Sequence, residues 1–288
     1  MKKLAYIIVA GIAAAAISGC EAINQDDIAT KPARVIASTE GPGVKTVISK
    51  EDNEYVVKWQ SGDQILVADD SAVDWEDEPV FKSFTLDDAS AGQSEGEFIE
   101  DDPDVAFIGD NAFAIFPAEY AFEWPHEQMV NTTNSSNNHC LMIASGTILS
   151  DKHGISPLYF QHIGGALKIS LTSSVRGAEL SGITLKSETA YLSGYYSLTS
   201  IDDEEEYAEI EYDEDDPSSA HHDIIVTVED TPALDAEKAV DIYVAMVPGS
   251  YSNLELTFEF TDASSKTLTS KGSVNISRAC VTVAKIEL

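Results

Sequence analysis

The segment LELTFEFT, which runs from Leu254 to Thr261, alternates apolar and polar residues along its whole length. Because successive side chains of a β-strand point to opposite faces, this spacing predicts a strand with one buried and one solvated side. The buried side would consist of Leu254, Leu256, Phe258 and Phe260. The solvated side would consist of Glu255, Thr257, Glu259 and Thr261.

The same alternation recurs in short segments from residue 34 onward, for example in LKISLT at residues 167–172. Gly, Pro and Asp turn residues separate these segments, and helical periodicity is nearly absent. This pattern is typical of antiparallel β-sandwiches. We therefore predict an all-β fold with two antiparallel β-sandwich domains, residues 34–155 and residues 156–288, divided after a long polar stretch.

The first 19 residues have the three-part layout of a secretory signal peptide. Lys2 and Lys3 provide a positive start, and small residues precede Cys20. The apolar segment between them has about 14 residues, fewer than the roughly 20 that a permanent membrane-spanning helix needs. We therefore predict that residues 1–19 are a cleaved signal peptide.

The residues before Cys20, Ile17 to Gly19, resemble a bacterial lipobox. In that motif the cysteine thiol is diacylated, the chain is cut before the cysteine, and the new amino group is acylated. Three acyl chains would hold the protein firmly to a bilayer. We therefore predict lipidation at Cys20 and a lipidated tether, or propeptide, over residues 20–33. An ordinary signal peptide with a chance cysteine is the alternative.

Charge and cysteine content restrict the partners of the chain. The formal net charge is −33, and it becomes −35 when Lys2 and Lys3 leave with the signal peptide. Such a field repels nucleic acid and anionic membrane surfaces, so we expect neither as a partner. Apart from Cys20 the chain has Cys140 and Cys280, and in an exported protein a disulfide between them and two separate thiols are both open.

No catalytic or metal-binding motif in the sequence is complete. His126 begins a segment like H-E-x-x-H, but Val130 stands where the second histidine should be. The histidines at 221–222 are interpreted as an exposed pair, and the acidic runs at 202–206 and 213–216 lack the spacing of a calcium loop. Carboxylates are abundant, but no pair is singled out for glycoside hydrolysis. We therefore predict no enzymatic activity, no metal and no cofactor.

The segment VKWQSGDQILV, residues 57–67, predicts a hairpin turn in which Gly62 adopts a positive φ and Asp63 bonds nearby backbone amides. It also resembles the W-x-x-G-D-x-I-x-V signature of the fimbrillin family, the type V pilins of Bacteroidetes and their relatives. The signature positions are Trp59, Gly62, Asp63, Ile65 and Val67. Similar segments follow in the same order over nearly all of the mature chain, including AIFPA at 114–118, YFQHIGGALKISL at 159–171, YVAMVPGSYSNLELTF at 243–258 and ISRACVTVAKIEL at 276–288.

The resemblance implies transthyretin-like sandwich domains and export as a lipidated precursor to the outer membrane. In polymerising members of the family, a trypsin-like protease removes the lipidated leader together with an early strand, and a strand from the next subunit fills the groove. Basic residues near the start of the folded part are the candidate cleavage sites: Arg34, Lys45 and Lys50. An incoming strand would restore backbone pairing and apolar burial at the same time.

The terminal segment VTVAKIEL, residues 281–288, is the candidate donor strand. Its alternation would direct one set of side chains inward, and the inward set is Thr282, Ala284, Ile286 and Leu288. The alternative is that this segment is the native last strand of its own domain.

Together these features predict a surface-anchored, fimbrillin-like structural protein that takes part in adhesion as a component of type V pili. Its expected partners are other pilin subunits, outer-membrane lipid through Cys20, and a ligand on a host or bacterial surface. The alternative function is a non-polymerising surface lipoprotein that binds glycans. In that case exposed aromatic rings would act as stacking platforms: Trp75, Trp124, Tyr195 and Tyr196.

Lipidation of Cys20 can be tested by intact-mass measurement of the detergent-extracted protein. We expect a chain that begins at Cys20 and has the added mass of three acyl groups, because the lipobox cysteine is both cleaved and acylated. A Cys20→Ala variant, with the same apolar segment, should lack this mass and leave the membrane fraction. A mature wild-type chain without lipid mass would contradict the prediction.

Overall fold

The computed structural model describes most of the chain after residue 31, and Pro32–Leu288 forms one compact unit. Cys20, Lys45, Trp75 and Cys140 lie outside the described residues. The described ranges are 32–39, 48–51, 54–70, 81–103, 106–120, 123–132, 141–151, 154–175, 177–201 and 205–288.

Strands follow one another through all of these ranges. The first half contains β1 (Arg34–Thr39), β2 (Ile48–Glu51), β3 (Glu54–Val57), β4 (Gln64–Asp69), β5 (Phe81–Leu86), β6 (Glu95–Glu100), β7 (Asn111–Phe116), β8 (Glu123–Trp124), β9 (Glu127–Val130), β10 (Met142–Thr147) and β11 (Leu158–His162). The second half contains β12 (Gly165–Thr172), β13 (Leu180–Lys186), β14 (Ser193–Ile201), β15 (Glu205–Ile210), β16 (Ala220–His221), β17 (Asp223–Val228), β18 (Val240–Met246), β19 (Gly249–Tyr251), β20 (Glu255–Phe260), β21 (Ser265–Thr269), β22 (Val274–Ile276) and β23 (Val281–Glu287).

Helical structure within the described ranges consists of short 3-10 turns, such as Asp88–Ser90 and Pro217–Ser219. None of the helices found there has the length and apolar character needed to cross a membrane. The prediction of an all-β fold is confirmed.

Seven strands of the first half form one closed sheet in the order β1-β11-β10-β7-β4-β5-β6, and β1 closes it by pairing with both β6 and β11. The alternating side chains of these strands fill the interior, because a closed sheet directs every second residue inward. The largest of the fully buried side chains include Trp59, Phe84, Phe98, Phe116 and Phe160.

Two further sheets share a second core. One has the order β18-β12-β23 and the other has the order β21-β20-β13-β17-β9. Leu167 of β12 and Val244 of β18 pack with Ile183 of β13 and Phe258 of β20 in one buried cluster. The alternation around Leu254 is as predicted, since the apolar positions of that segment are buried, except that Phe260 is only partly covered.

The predicted division at residue 155 separates strands that the sheets join. β11, which begins at Leu158, belongs to the closed sheet, whereas β9, which ends at Val130, pairs with β17 of the second half. A third buried cluster contains Ile115 of β7 and Tyr243 of β18, so the two halves also share apolar contacts. The description as two sandwich domains, with 34–155 and 156–288 as their bounds, stays a prediction.

Among the described strands three pairs are parallel, although the sequence pattern predicts antiparallel pairing. These pairs are β1 with β11, β12 with β23, and β9 with β17. Parallel neighbours need a long crossover connection, and each of these pairs joins strands that are far apart in sequence. Local alternation cannot reveal such pairs, because it specifies the inward face of a strand but not its partner.

The tight turn predicted at Gly62 and Asp63 is confirmed, but it does not form a hairpin, because the flanking strands are not paired with each other: β3 pairs with β2, and β4 pairs with β5 and β7. Gly62 has a φ of +88°, a conformation that L side chains rarely adopt. The Asp63 carboxylate accepts a hydrogen bond of 2.7 Å from the backbone N–H of Gln60. The turn places Trp59, which is 0% exposed, in the core, where its ring meets those of Phe98 and other aromatics edge to face.

Replacing Trp59 by Ala should lower the free energy of unfolding by about 3–5 kcal/mol, because the change removes a large buried ring and leaves a cavity. Urea denaturation of the purified full-length chain in detergent measures this loss. Ile108→Ala is the control, since Ile108 is 68% exposed and its truncation should change stability little. Equal effects of the two substitutions would show that Trp59 does not support the core.

Candidate functional site: the seat of the first strand

The first strand lies between two neighbours of opposite direction. It runs antiparallel to β6, where Ala37 is opposite Gly96, and parallel to β11, where Ala37 is opposite Leu158. Both backbone edges of β1 are therefore used along part of its length. Since β1 is the first described strand after the tether, the closure of the sheet depends on the segment nearest the predicted leader.

The inward residues of this strand are small or β-branched. Ala33, Val35 and Ala37 are buried at 5%, 1% and 0% exposure, whereas Arg34 and Ile36 face outward. This period of two is the one expected for a strand that covers a core on one side only. We call the space that these three side chains and the strand backbone occupy the β1 seat.

Trp59 forms the floor of the β1 seat. Its indole Nε1–H donates a hydrogen bond of 3.1 Å to the backbone oxygen of Ala37. The ring lies against β6 at Gly96, where a Cβ atom would be 2.8 Å from Trp59 Cδ1 and 2.6 Å from Leu86 Cδ1. Only glycine fits there without displacing these side chains. The tryptophan of the signature thus connects the turn at Gly62 to both β1 and β6.

A buried ion pair fixes the start of the strand. Lys82 of β5 and Glu100 of β6 pair through Nζ and Oε1, and their side chains are 4% and 0% exposed. The other carboxylate oxygen, Glu100 Oε2, accepts a hydrogen bond of 2.9 Å from the backbone N–H of Ala33. The Glu100 N–H in turn donates to the oxygen of Ala33 at 2.9 Å. Lys82 Nζ also lies 4.6 Å from the ring centroid of Phe107.

The sequence interpretation missed this pair, although a signal for it exists. Lys82 has the same phase as Phe84 and Leu86 in FKSFTL, and Glu100 has the same phase as Phe98 in EGEFIE. Charged residues in phase with buried apolar ones indicate either a break in the strand or a buried pair.

The candidate cleavage sites differ in their relation to this strand. Arg34 is its first residue and is exposed, with Nη1 at 2.9 Å from Glu97 Oε1. The hydrogen bond and the charge of Glu97 raise the pKa of the Arg34 guanidinium above its ordinary value. Lys50 lies in β2, after the end of β1. A cut at Lys45 or Lys50 would separate all of β1 from the rest of the chain, whereas a cut at Arg34 would leave most of it attached.

The terminal strand lies in its own sheet. β23 runs parallel to β12, with Ala166 opposite Val281 and Thr172 opposite Glu287, and it forms the edge of the order β18-β12-β23. Three of the predicted inward residues are confirmed, since Leu288 belongs to the second core and Ala284 and Ile286 pack against it. Thr282 instead donates its hydroxyl to the oxygen of Asn275, and Val281 packs against the third cluster. In this structure the segment is a native last strand, and its role as a donor stays a prediction.

The prediction that exposed aromatic rings form stacking platforms is wrong for Trp124 and is weakened for Tyr196. Trp124 is 0% exposed, and its Nε1–H donates to the oxygen of Ala245. Tyr196 packs edge to face against Trp124 at 6.4 Å between ring centroids, and burial raises the pKa of its phenol. Tyr195 is exposed at 50%. Alternation explains the difference, because Trp124 lies opposite Gly194 on the covered face of the β8–β14 pair, whereas Tyr195 lies opposite Glu123 on the exposed face.

The remaining candidate groups are dispersed. The Cys280 thiol is free and exposed. The acidic run at 213–216 forms a turn in which the Asp216 N–H donates to the oxygen of Asp213. His222 is exposed, as predicted for the histidine pair, and its Nδ1 bonds the oxygen of Ala190. His221, in contrast, is only partly exposed and stacks on His126.

No protein-family sequence model matches the chain, and no curated protein matches it. Solved structures match in fold. A "putative cell adhesion protein" from Bacteroides ovatus has a TM-score of 0.50 at 12% identity, with 89% of this chain and 92% of that chain covered. This likeness shows a shared fold.

Two further solved structures have lower scores. A fimbrial protein from Bacteroides ovatus has a TM-score of 0.37 at 15% identity, over 89% of this chain and 50% of that chain. The tip fimbrial protein Mfa3 from Porphyromonas gingivalis has a TM-score of 0.33 at 9% identity, over 90% of this chain and 95% of that chain. The structural neighbours are adhesion and fimbrial proteins of Bacteroidetes, and the resemblance found in the sequence is confirmed at the level of the fold.

Replacing Glu100 by Gln should lower the free energy of unfolding by about 3–5 kcal/mol, because Lys82 would then be a buried charge without its counter-ion. Urea denaturation of the full-length chain measures the effect. Glu97→Gln is the matched control on the same strand, since Glu97 pairs with Arg34 at the surface. The combined Lys82→Met and Glu100→Gln variant should recover part of the loss. A Glu100→Gln effect no larger than that of Glu97→Gln would contradict this account.

Proposed function

We propose that the chain is a surface-anchored, fimbrillin-like structural protein, held to the outer membrane by lipid on Cys20 and assembled into type V pili by donor-strand complementation. Its function is adhesion, and it performs no catalysis. The observation that supports this proposal best is the β1 seat, in which the strand nearest the leader closes the seven-stranded sheet. The adhesion and fimbrial proteins among the structural neighbours agree with it.

Removal of β1 would open the sheet at one defined place. The backbone groups of β6 and β11 that face β1 would lose their partners, and the indole of Trp59 would lose the Ala37 oxygen. The apolar residues beneath would become solvent-exposed. Unpaired strand edges beside an apolar groove bind an extended segment through main-chain hydrogen bonds and side-chain pockets.

The terminal strand of another subunit has the properties that this groove requires. β23 has 7 residues and β1 has 6. Both strands alternate in burial: Val35 and Ala37 of β1 face inward beside the outward Arg34 and Ile36, and Ala284 and Ile286 of β23 are more buried than Val283, Lys285 and Glu287. Within the described ranges β23 pairs with one strand, β12, so its release breaks a single ladder there. The proposed donor residues are those of its inward face, Thr282, Ala284, Ile286 and Leu288.

The position of β1 between the leader and the cleavage sites implies a sequence of steps in assembly. While the leader is intact, Cys20 holds the chain to the membrane and β1 fills its own seat, so the subunit cannot accept a donor. A cut at Lys45 or Lys50 would free both the lipid anchor and β1 in one step. A cut at Arg34 would free the anchor alone. We therefore propose Lys45 and Lys50, rather than Arg34, as the cleavage sites that permit polymerisation.

Trypsin treatment of the detergent-purified precursor should produce polymers, visible as a ladder in mild-detergent electrophoresis and as filaments in electron micrographs. A Lys45→Gln/Lys50→Gln variant should remain monomeric, since β1 stays attached in its seat. The matched control is Arg34→Gln, which should polymerise like the wild type. The assignment of the cleavage sites would be overturned if the double variant formed polymers. It would also be overturned if the Arg34→Gln control lost polymer formation to the same extent as the double variant.

The donor strand can be tested by mixing. A chain that lacks residues 281–288 can accept a donor but cannot supply one, so a small fraction of it should shorten wild-type polymers by capping their ends. Its circular dichroism must match that of the wild type. Where the truncated chain fails to fold, Ile286→Glu replaces it, with Lys285→Glu on the outward face as its control. Unchanged polymer length with a folded variant would exclude β23 as the donor.

A further inference from the structure

Two histidines and an aspartate from distant parts of the sequence meet at the surface of the second half. His126 Nε2 lies 3.0 Å from Asp223 Oδ1, and the rings of His126 and His221 stack with centroids 4.2 Å apart. One ligand atom from each of the three residues lies within 4.8 Å of the others. We propose that His126, His221 and Asp223 bind a divalent transition-metal ion of the zinc class.

Backbone pairing places these residues together. His126 precedes β9 and Asp223 begins β17, and these strands are parallel neighbours in which the Ile225 N–H donates to the His126 oxygen at 2.8 Å. His221 ends β16, and Ser193 of β14 lies opposite it. The Ser193 hydroxyl also donates to the backbone oxygen of Asp223 at 2.9 Å. The backbones of the three residues are thus brought together by the pairing of β9 with β17 and of β14 with β16.

The donor set suits zinc and its neighbours. Imidazole nitrogens and one carboxylate oxygen are ligands of Zn²⁺ at about 2.0–2.2 Å, and three protein ligands leave a fourth position open for water. Tetrahedral ligands at that range lie about 3.3 Å from one another. The distance of 3.0 Å between His126 Nε2 and Asp223 Oδ1 is already close to this separation. Rotation of the His221 ring out of its stacked position would complete the set.

Access and charge also favour a cation at this site. The side chains of His126 and Asp223 are 27% and 37% exposed, so an ion can reach them from solvent without opening the fold. The chain has a formal net charge of −33, which raises the local concentration of cations around it. A bound ion would join β9, β16 and β17 and stabilise the folded chain in proportion to its occupancy. This site is independent of the β1 seat and of pilus assembly.

A simpler role exists for the same contacts. His126 could bond Asp223 and stack on His221 with no metal present, which would stabilise the three strands without binding an ion. The two roles differ in one measurable respect. Only the metal site predicts saturable binding of added Zn²⁺ that requires all three side chains and raises thermal stability.

Isothermal titration of ZnCl₂ into the full-length, tag-free chain, previously treated with chelator, should show one saturable site. Asp223→Asn and His221→Asn should each weaken the affinity at least tenfold. His222→Asn is the matched control, because His222 is the exposed neighbour that bonds the Ala190 oxygen and should leave the affinity within twofold. The wild type should also gain several degrees in melting temperature with saturating Zn²⁺, and the His221→Asn variant should not.

Co²⁺ provides a second readout that does not depend on stability. A bound Co²⁺ with two imidazole ligands should give visible absorption bands that saturate at one equivalent and disappear in the His126→Gln variant. Circular dichroism must show that each variant is folded. The proposed site would be overturned if titration of Zn²⁺ into the folded wild type gave no heat of binding. It would also be overturned if His222→Asn lost as much affinity for Zn²⁺ as Asp223→Asn and His221→Asn.

Discussion

Hydrogen bonding on both sides of β1 is the constraint on which the closed sheet depends. The strand pairs with β6 on one side and with β11 on the other, and it brings only small or β-branched side chains to the interior. Those side chains leave room for the ring of Trp59, whose indole N–H bonds the Ala37 oxygen. Without β1 the sheet would have two free edges and an open core, so the part of the chain nearest the predicted leader determines whether this half is complete.

The Lys82–Glu100 pair shows how the start of this strand is specified. A buried ion pair contributes little net stability, since desolvation of the two charges offsets their attraction. Its geometry is nevertheless selective, because Glu100 uses one oxygen for Lys82 and the other for the Ala33 amide. A shift of β1 by one residue would turn its apolar side chains outward and leave a carboxylate oxygen without this donor. The pair therefore favours one register over its neighbours.

In the second half, the terminal strand β23 has fewer pairing partners than β1 among the described strands. β23 is the last strand, lies at a sheet edge, and is held by one ladder and by its inward aliphatic side chains. β1 and β23 thus resemble each other in alternation and in length, although they close different sheets. They differ in their pairing, because β23 has one ladder, with β12, whereas β1 has two, with β6 and β11.

The alternation of the sequence predicted the all-β class, the inward faces of the most regular strands and the tight turn at Gly62. These properties follow from the period of two and from the local demands of such a turn. The inward side chains around Phe258, and Ala284, Ile286 and Leu288 in the terminal segment, were predictable for the same reason. The likeness to fimbrillins also came from the sequence, through the signature around Trp59 and the order of the segments that follow it.

Only the tertiary structure decided which strands are neighbours and which polar groups meet. The parallel pairs join strands that are more than 90 residues apart, such as Ala37 with Leu158 and Ile225 with Glu127. Distant pairing also buried Trp124 and brought His126 to His221, whereas Lys82 and Glu100 meet through β5 and β6, which are consecutive strands. Alternation along a strand records which face is buried, whereas the identity of the neighbour depends on the packing of the whole chain, and a local pattern contains no information about it.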